Sequence, residues 1–338
     1  MMFRIIASIE EAVPAMIQPE GLQNRLIASA PTPFDQGGQL HREGLRRMIQ
    51  PIAGSGVSGL AVGTWLGRGP RLGLDDRAAL IAIWREELRP DQWLVVGVGA
   101  PPEARRPMEV IEAALALARQ ARELGADALL IDPPGAVRGR PDRDRLVLEY
   151  HAELASAGLP ALVSYRRESL GGIAYGPDVL AQLLARPEVF GVEVSSGDGI
   201  TTFQQVEALA RDLAPGKLVV SGEDRFLGYS LMCGADAALV GIGFACPGLV
   251  LDLLDAHASA DASRFLKQSR RVDRLARAIF APPVEGIPLR LLWTLVQGGT
   301  LPIEAAHDPW GPEAGRTVME RFATSLKQAD PEGSWLGG

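Results

Sequence analysis

The stretch PMEVIEAALALARQARELGADALLID, residues 107–132, spells out one complete structural unit. Val110, Ile111, Ala114, Leu115, Ala118, Ala121 and Leu124 recur at three- and four-residue steps, the spacing that lays one apolar stripe along an α-helix. Pro107 suits a first helical turn, where its missing N–H is no loss, and Gly125 suits the position just past the helix end. The run ADALLID (126–132) follows at once, apolar without alternation, as a parallel strand buried on both faces is. The stretch reads helix, tight turn, strand.

Working outward, the same unit repeats. Short Val-, Leu-, Ile- and Ala-rich runs occur at 25–30, 57–63, 93–99, 126–132, 160–165, 189–195, 217–222 and 235–241, with amphipathic segments between them. Eight strand–helix units in succession favour a closed (β/α)8 TIM barrel. A doubly wound open sheet satisfies the same strand count and is the competing architecture. After residue 245 the segments near 247–257, 261–280, 287–298 and 312–328 are helical in character, with no further convincing strand. The expected organisation is an N-terminal arm over 1–23, the barrel over 24–245 and a C-terminal helical extension over 246–330, ending in a loose PEGSWLGG tail.

Composition bounds the function. At 338 residues and 47% apolar side chains the chain can bury a sizeable core, which excludes extensive disorder. A net charge of −7 gives no footprint for nucleic acid. Cys233 and Cys246 are too few for a disulfide framework and lack metal-ligand spacing, and the four histidines are scattered singly. The opening MMFRIIASIEEAVPAM lacks the apolar core of a secretory signal, and no run of eighteen apolar residues exists, so a cytoplasmic protein without a membrane span is expected. Among the 34 basic residues only Lys217, Lys267 and Lys327 are lysines. Any mechanism that needs a lysine amine has three candidates.

In a barrel of this kind the active site gathers at the C-terminal ends of the strands. That rule selects Thr64 and Trp65 after the second run, Asp132 after the fourth, Ser164, Tyr165, Arg166 and Arg167 at the end of the fifth, Glu193 and Ser195 in the sixth, and Ser221, Glu223 and Asp224 after the seventh. Glu193 is the most telling, because within FGVEVS a carboxylate interrupts an apolar strand, where an unpaired charge is expensive. Facing the barrel mouth it is a candidate general base; the alternative is a fixed ion pair with Arg166 or Arg167. Tyr165 is a candidate proton relay or a packing residue with one satisfied hydroxyl. The turn carrying Thr64 can present backbone N–H groups to a carboxylate. Glu223 and Asp224 form a second acidic pair or cap the next helix. Asp132, Glu193 and Glu223 also make a possible oxygen set for a hard divalent cation, a minor reading.

These residues resemble a known family. IASAPTPFDQGGQLHREGLRRMI and GVSGLAVGTWLGRGPRLGLDDRAALI, followed in order by VVGVGA, GADALLIDPP, LPALVSY, VFGVEVSSGD, VVSGEDRFLGYSLMCGADAALVG and EGIPLRLLW, are similar to the dihydrodipicolinate synthase and N-acetylneuraminate lyase superfamily over roughly residues 25–300. The resemblance implies a barrel with C-terminal helices, a homo-oligomer (dimer or tetramer) and a small-molecule substrate of the 2-oxo acid type. It also implies a lysine on the sixth strand that binds the 2-oxo acid as a Schiff base. The matching phrase here is Gly191-Val192-Glu193-Val194-Ser195-Ser196-Gly197, with Glu193 at the lysine position. Lys217 begins the seventh strand at the opposite end of the barrel, and Lys267 and Lys327 fall in the C-terminal helices. Trp65 stands where the family usually has a second threonine, Arg68 where it has glutamate, and Leu170 where an arginine binds the substrate carboxylate. Tyr165 matches the family's strand-5 tyrosine.

The expected function is therefore a lyase- or aldolase-family enzyme acting on a small oxygenated compound, of 2-oxo acid or sugar-acid type, without the lysine Schiff base. Glu193 and Tyr165 are its expected catalytic residues, and Thr64, Trp65, Arg166, Ser195, Ser221 and Glu223 its expected binding residues. No cofactor or metal is expected. The alternative is a family member that has lost catalysis and serves in binding or assembly.

Overall fold

The structure, a computed structural model, describes residues 19–166, 168, 171–197, 199–312 and 315–333. Most of the expected N-terminal arm lies outside the described residues, as do Arg167, Leu170, Asp198 and the end of the tail.

Strands and helices alternate along the chain: β1 (Leu26–Ser29), α1 (Arg42–Gly54), β2 (Gly59–Val62), α2 (Leu74–Glu87), β3 (Trp93–Val98), α3 (Pro107–Glu123), β4 (Ala128–Ile131) and α4 (Arg143–Ala155). The second half continues with β5 (Ala161–Arg166), α5 (Pro177–Leu184), β6 (Val189–Ser195), α6 (Ile200–Leu213), β7 (Leu218–Ser221), α7 (Leu227–Met232) and β8 (Ala237–Val240). A short α8 (Ile242–Ala245) leads to α9 (Pro247–Ala258), α10 (Ala262–Ile279), α11 (Ile287–Gln297) and α12 (Arg316–Ala329). α3 forms as its sequence dictates. Glu109 accepts the Arg106 backbone N–H at 3.1 Å at its start, and Gly125, at φ +83°, turns the chain out of the helix.

β8 pairs in parallel with β1, Leu26 opposite Ala238, and the sheet closes in the order β1 to β8. Closure decides against the open doubly wound sheet: every strand has two hydrogen-bonded neighbours and no edge is left. The two-residue period of the strands then sorts side chains into two cores. Ile27, Ala61, Val95, Leu130, Leu162, Val220 and Leu239 fill the barrel interior. Trp93 and Phe190 join them edge to face, with ring centroids 6.2 Å apart. The outer core, among it Leu60, Val96, Leu129, Val163 and Val192, packs against the helices.

One irregularity sets which side chains of β6 face the barrel interior. In the β5–β6 pairing Ala161 lies opposite Val189 but Leu162 opposite Gly191, so Phe190 is an extra residue. The bulge resets the alternation along β6. Val192 and Val194 face the helices, while Glu193 and Ser195 open onto the upper interior of the barrel.

The C-terminal helices cover this assembly rather than extend the sheet. Phe265, Val272, Leu275, Ala276 and Ile279 form the buried stripe of α10, which packs against α7, α9 and α12. Among the described residues no single helix is long and apolar enough to cross a membrane.

Candidate active site

A cavity of about 770 Å³ opens at the C-terminal ends of the strands. Its floor is polar because the inward-facing position at the top of several strands carries a short polar or acidic side chain: Ser29 on β1, Asp132 just past β4, Ser164 on β5, Glu193 and Ser195 on β6. Below them the inward positions are apolar, so the barrel is filled under the floor.

Glu193 is only 3% exposed. Ser164 Oγ donates to its Oε2 at 2.8 Å, and the Ser195 hydroxyl donates to Oε1. A Cβ at Gly222 would overlap both Glu193 Oε1 and Ser195 Oγ, so the bare backbone there is what lets the carboxyl lie against β7. Desolvation pushes the Glu193 carboxyl up from 4.5 to about 7, against the two hydroxyl donors and the nearby Arg166, which favour the anion. A carboxyl near 7 is poised to exchange a proton at neutral pH.

Arg166, on the same face of β5 as Ser164, is held by Asp132 in a mostly buried ion pair. Burial opposes its charge, but the attraction and hydrogen bond of Asp132 outweigh that and keep it firmly protonated. Glu223 follows β7 and is fixed by the loop after β6, accepting the Ser196 N–H at 2.5 Å and the Gly197 N–H at 3.3 Å. Desolvation raises its carboxyl to about 7 despite those donors, with Glu193 adding repulsion. Asp224 accepts the Ile242 N–H at 2.7 Å, and burial holds its carboxyl well above the usual aspartate range. Across the mouth, Thr64 Oγ1 lies 3.1 Å from Ser29 Oγ. Trp65 is oriented from behind by Arg68, whose guanidinium sits 5.7 Å from the ring centroid and is tied to Asp308.

With this geometry in place, the comparisons with known proteins are direct. The sequence model of the Dihydrodipicolinate synthetase family matches residues 22–327. The chain belongs to that family. It is 25% identical over 268 residues to the 4-hydroxy-tetrahydrodipicolinate synthase of Parasynechococcus marenigrum (strain WH8102), spanning 79% of this chain and 84% of that one. It is 28% identical over 287 residues to an uncharacterized DapA-like lyase of Chloroflexus aurantiacus, spanning 82% and 88%. Among solved structures it is similar to a prophage protein of the dihydrodipicolinic acid synthase family from E. coli K12 in complex with pyruvate, at TM-score 0.76 and 20% identity, over 90% of this chain and 98% of that one. The Ruminococcus gnavus sialic acid aldolase superposes at TM-score 0.76 with 17% identity, over 91% and 98% of the two chains. At those identities the structural likeness establishes the fold.

In this member of the dihydrodipicolinate synthetase family, Glu193, Ser195, Arg166, Glu223, Thr64 and Trp65 all line the cavity. Two expected residues do not. Tyr165 sits in the outer core, its ring edge-on to Tyr175 at 5.9 Å. Neighbours on a strand face opposite sides, so with Arg166 turned inward Tyr165 is turned out. Ser221 is likewise on the outer face of β7, its hydroxyl 2.6 Å from Ser230 Oγ on α7. The alternative ion pair of Glu193 with Arg166 also gives way, because Arg166 pairs with Asp132 and Glu193 is held by hydroxyls.

Sequence reasoning places Ser164 at the end of the fifth strand but assigns it no role in the site. Its signal was the alternation itself: if Arg166 faces in, Ser164 does too. Phe280, Val284 and Ile287, which wall the mouth, had no sequence signal. Among the described residues no group of three or more His, Cys, Asp or Glu side chains comes together to hold a metal ion. Asp132 and Glu223 are already engaged, by a guanidinium and by backbone N–H groups.

Proposed function

We propose that this family member is a lyase- or aldolase-type enzyme working by acid–base catalysis from Glu193 on a small oxygenated compound, of 2-oxo acid or sugar-acid type, without a lysine Schiff base. The observation that carries this reading is the buried Glu193 carboxyl, held between two hydroxyls at the floor of the cavity with its proton affinity near neutrality. Lysine placement supports it. Lys217 Nζ donates to the Arg186 carbonyl at 3.1 Å and to the Val189 carbonyl, at the opposite end of the barrel, while Lys267 and Lys327 are exposed on α10 and α12.

In the chemical step the Glu193 carboxylate accepts a proton from the carbon beside a substrate carbonyl. The C–H electron pair becomes the new C=C bond and negative charge moves to the carbonyl oxygen. Arg166 and Thr64, lining the same space, are donors available to that oxygen. Return of the proton, or departure of a leaving group, completes exchange or cleavage. Ser164 and Ser195 orient the carboxyl throughout. The homo-oligomeric state is part of the same proposal and is read by light scattering.

The test follows the proton. In D₂O the protein should accelerate exchange of the methyl protons of pyruvate, read by NMR, and Glu193→Gln should lower the rate about a hundredfold or more. Borohydride added with pyruvate should leave the intact mass unchanged. A borohydride-stable adduct on any lysine, or exchange indifferent to Glu193→Gln, overturns the mechanism. No exchange and no thermal shift with any 2-oxo acid or sugar acid would overturn the enzyme reading in favour of a family member that has lost catalysis and serves in binding or assembly.

A further inference from the structure

The cavity is divided by chemistry. Its floor carries carboxyls and hydroxyls, but its upper wall is apolar. Leu66 enters from the β2 turn and Phe226 from the loop after β7, while Phe280, Pro282, Val284 and Ile287 come from the connection between α10 and α11. None of these side chains donates or accepts a hydrogen bond. Two cations reach this level. Arg277 is matched by Asp273 one turn before it on α10, and Arg225 is exposed at the rim.

Size adds a second argument. A water molecule claims roughly 30 Å³ in the liquid, so the six heavy atoms of a three-carbon 2-oxo acid need on the order of 100 Å³. The cavity, at about 770 Å³, leaves most of its space unfilled once such a head is seated on the floor, and the apolar wall lines part of what remains. Apart from Arg225 and the Arg277–Asp273 pair, the hydroxyls of a sugar acid would meet apolar side chains there, which leave buried polar groups unpaired.

We infer that the substrate is a 2-oxo acid carrying a bulky apolar substituent, of about a phenyl ring's size, rather than a polyhydroxylated sugar acid: the oxygenated head reaches Glu193 and the apolar part packs against Leu66, Phe226, Phe280 and Val284. This inference rests on the acid–base reading of Glu193 for the position of the head, and its test is a binding measurement that needs no turnover.

Titration calorimetry with phenylpyruvate, pyruvate and gluconate, on the wild type and on Glu193→Gln, reads the preference directly. Phenylpyruvate should bind at least about tenfold more tightly than pyruvate, from the apolar area it buries, and more tightly than gluconate. Val284→Asn and, independently, Ile287→Thr should shrink the preference for phenylpyruvate while leaving pyruvate affinity within about twofold. Equal affinities for phenylpyruvate and pyruvate, or tighter binding of gluconate, overturn the inference even if proton exchange still depends on Glu193. Conversely, an intact preference for phenylpyruvate in a protein whose exchange ignores Glu193→Gln removes the acid–base reading and keeps the apolar wall. Should either wall variant fail to fold, the selectivity of the wild type decides the question.

Discussion

Glu193→Gln is also a thermodynamic experiment. The Glu193 carboxyl is 3% exposed, and desolvation lifts it from 4.5 to about 7. Below 4.5 the group is protonated in both folded and unfolded chains and imposes no penalty. Between 4.5 and about 7 the unfolded chain releases its proton while the folded chain keeps it, so stability falls as pH rises; above about 7 the loss is complete. At about 1.4 kcal/mol per pH unit, the gap between 4.5 and about 7 amounts to roughly 3 kcal/mol of stability that the wild type lacks at pH 9 relative to pH 4. Glutamine is uncharged at both values and can keep the Ser164 and Ser195 contacts, since hydroxyls donate and accept alike. The variant should therefore gain about 3 kcal/mol on the wild type between pH 4 and pH 9, read from urea unfolding midpoints and slopes. Glu223 and Asp224, whose raised carboxyls bend both curves the same way, cancel in the difference except for the part that repulsion from Glu193 adds to their shifts, and losing that repulsion adds to the gain of the variant at high pH. A pH-independent difference would show that Glu193 is solvated, and the reasoning built on its burial would fail.

Other consequences can be checked alongside it. Ser164→Ala removes a 2.8 Å donor to the Glu193 anion, worth about 1.5–3 kcal/mol for a charged acceptor; the midpoint of the exchange-rate profile should rise by one pH unit or more, whereas Tyr165→Phe, outside the cavity, should leave that midpoint in place. Gly222→Ala puts a methyl group where Glu193 Oε1 and Ser195 Oγ lie, so exchange should collapse while circular dichroism remains that of a folded barrel. Asp308→Ala strips the partner from Arg68, a pair with side chains 1% and 7% exposed. It should cost about 3 kcal/mol in urea unfolding, the low end for a buried pair because the Glu285 carbonyl still accepts from Arg68 at 2.7 Å.

How much of the site could be read from the chain depends on how local each signal is. Glu193 announced itself as a single carboxylate in an apolar strand, a cost visible without neighbours. The position of Tyr165 had two readings, and the two-residue period held the answer only once one residue of β5 was known to face inward. On β6 even the period misleads, because the Phe190 bulge shifts its phase, and a bulge is a property of the pairing with β5. The partner of Arg166 is beyond sequence reasoning of this kind: Asp132 and Arg166 sit at the tops of adjacent strands, brought together by register and barrel curvature. The apolar wall from the α10–α11 connection is further still, since nothing in its local composition says which opening it covers.

The sequence by itself determined the order and kind of the elements, because buried parallel strands and amphipathic helices write their periodicity into a dozen neighbouring residues. Pro107 and Gly125, bracketing one helix, show how locally those choices are made. It also determined that only three lysines exist to be placed. Tertiary structure alone decided that the sheet closes, that Ser164 rather than Tyr165 meets Glu193, that Asp132 holds Arg166, and that an apolar wall faces a polar floor. Each of these is a pairing between segments distant in the chain. Such pairings are fixed by register and packing, which leave no period for a sequence to display.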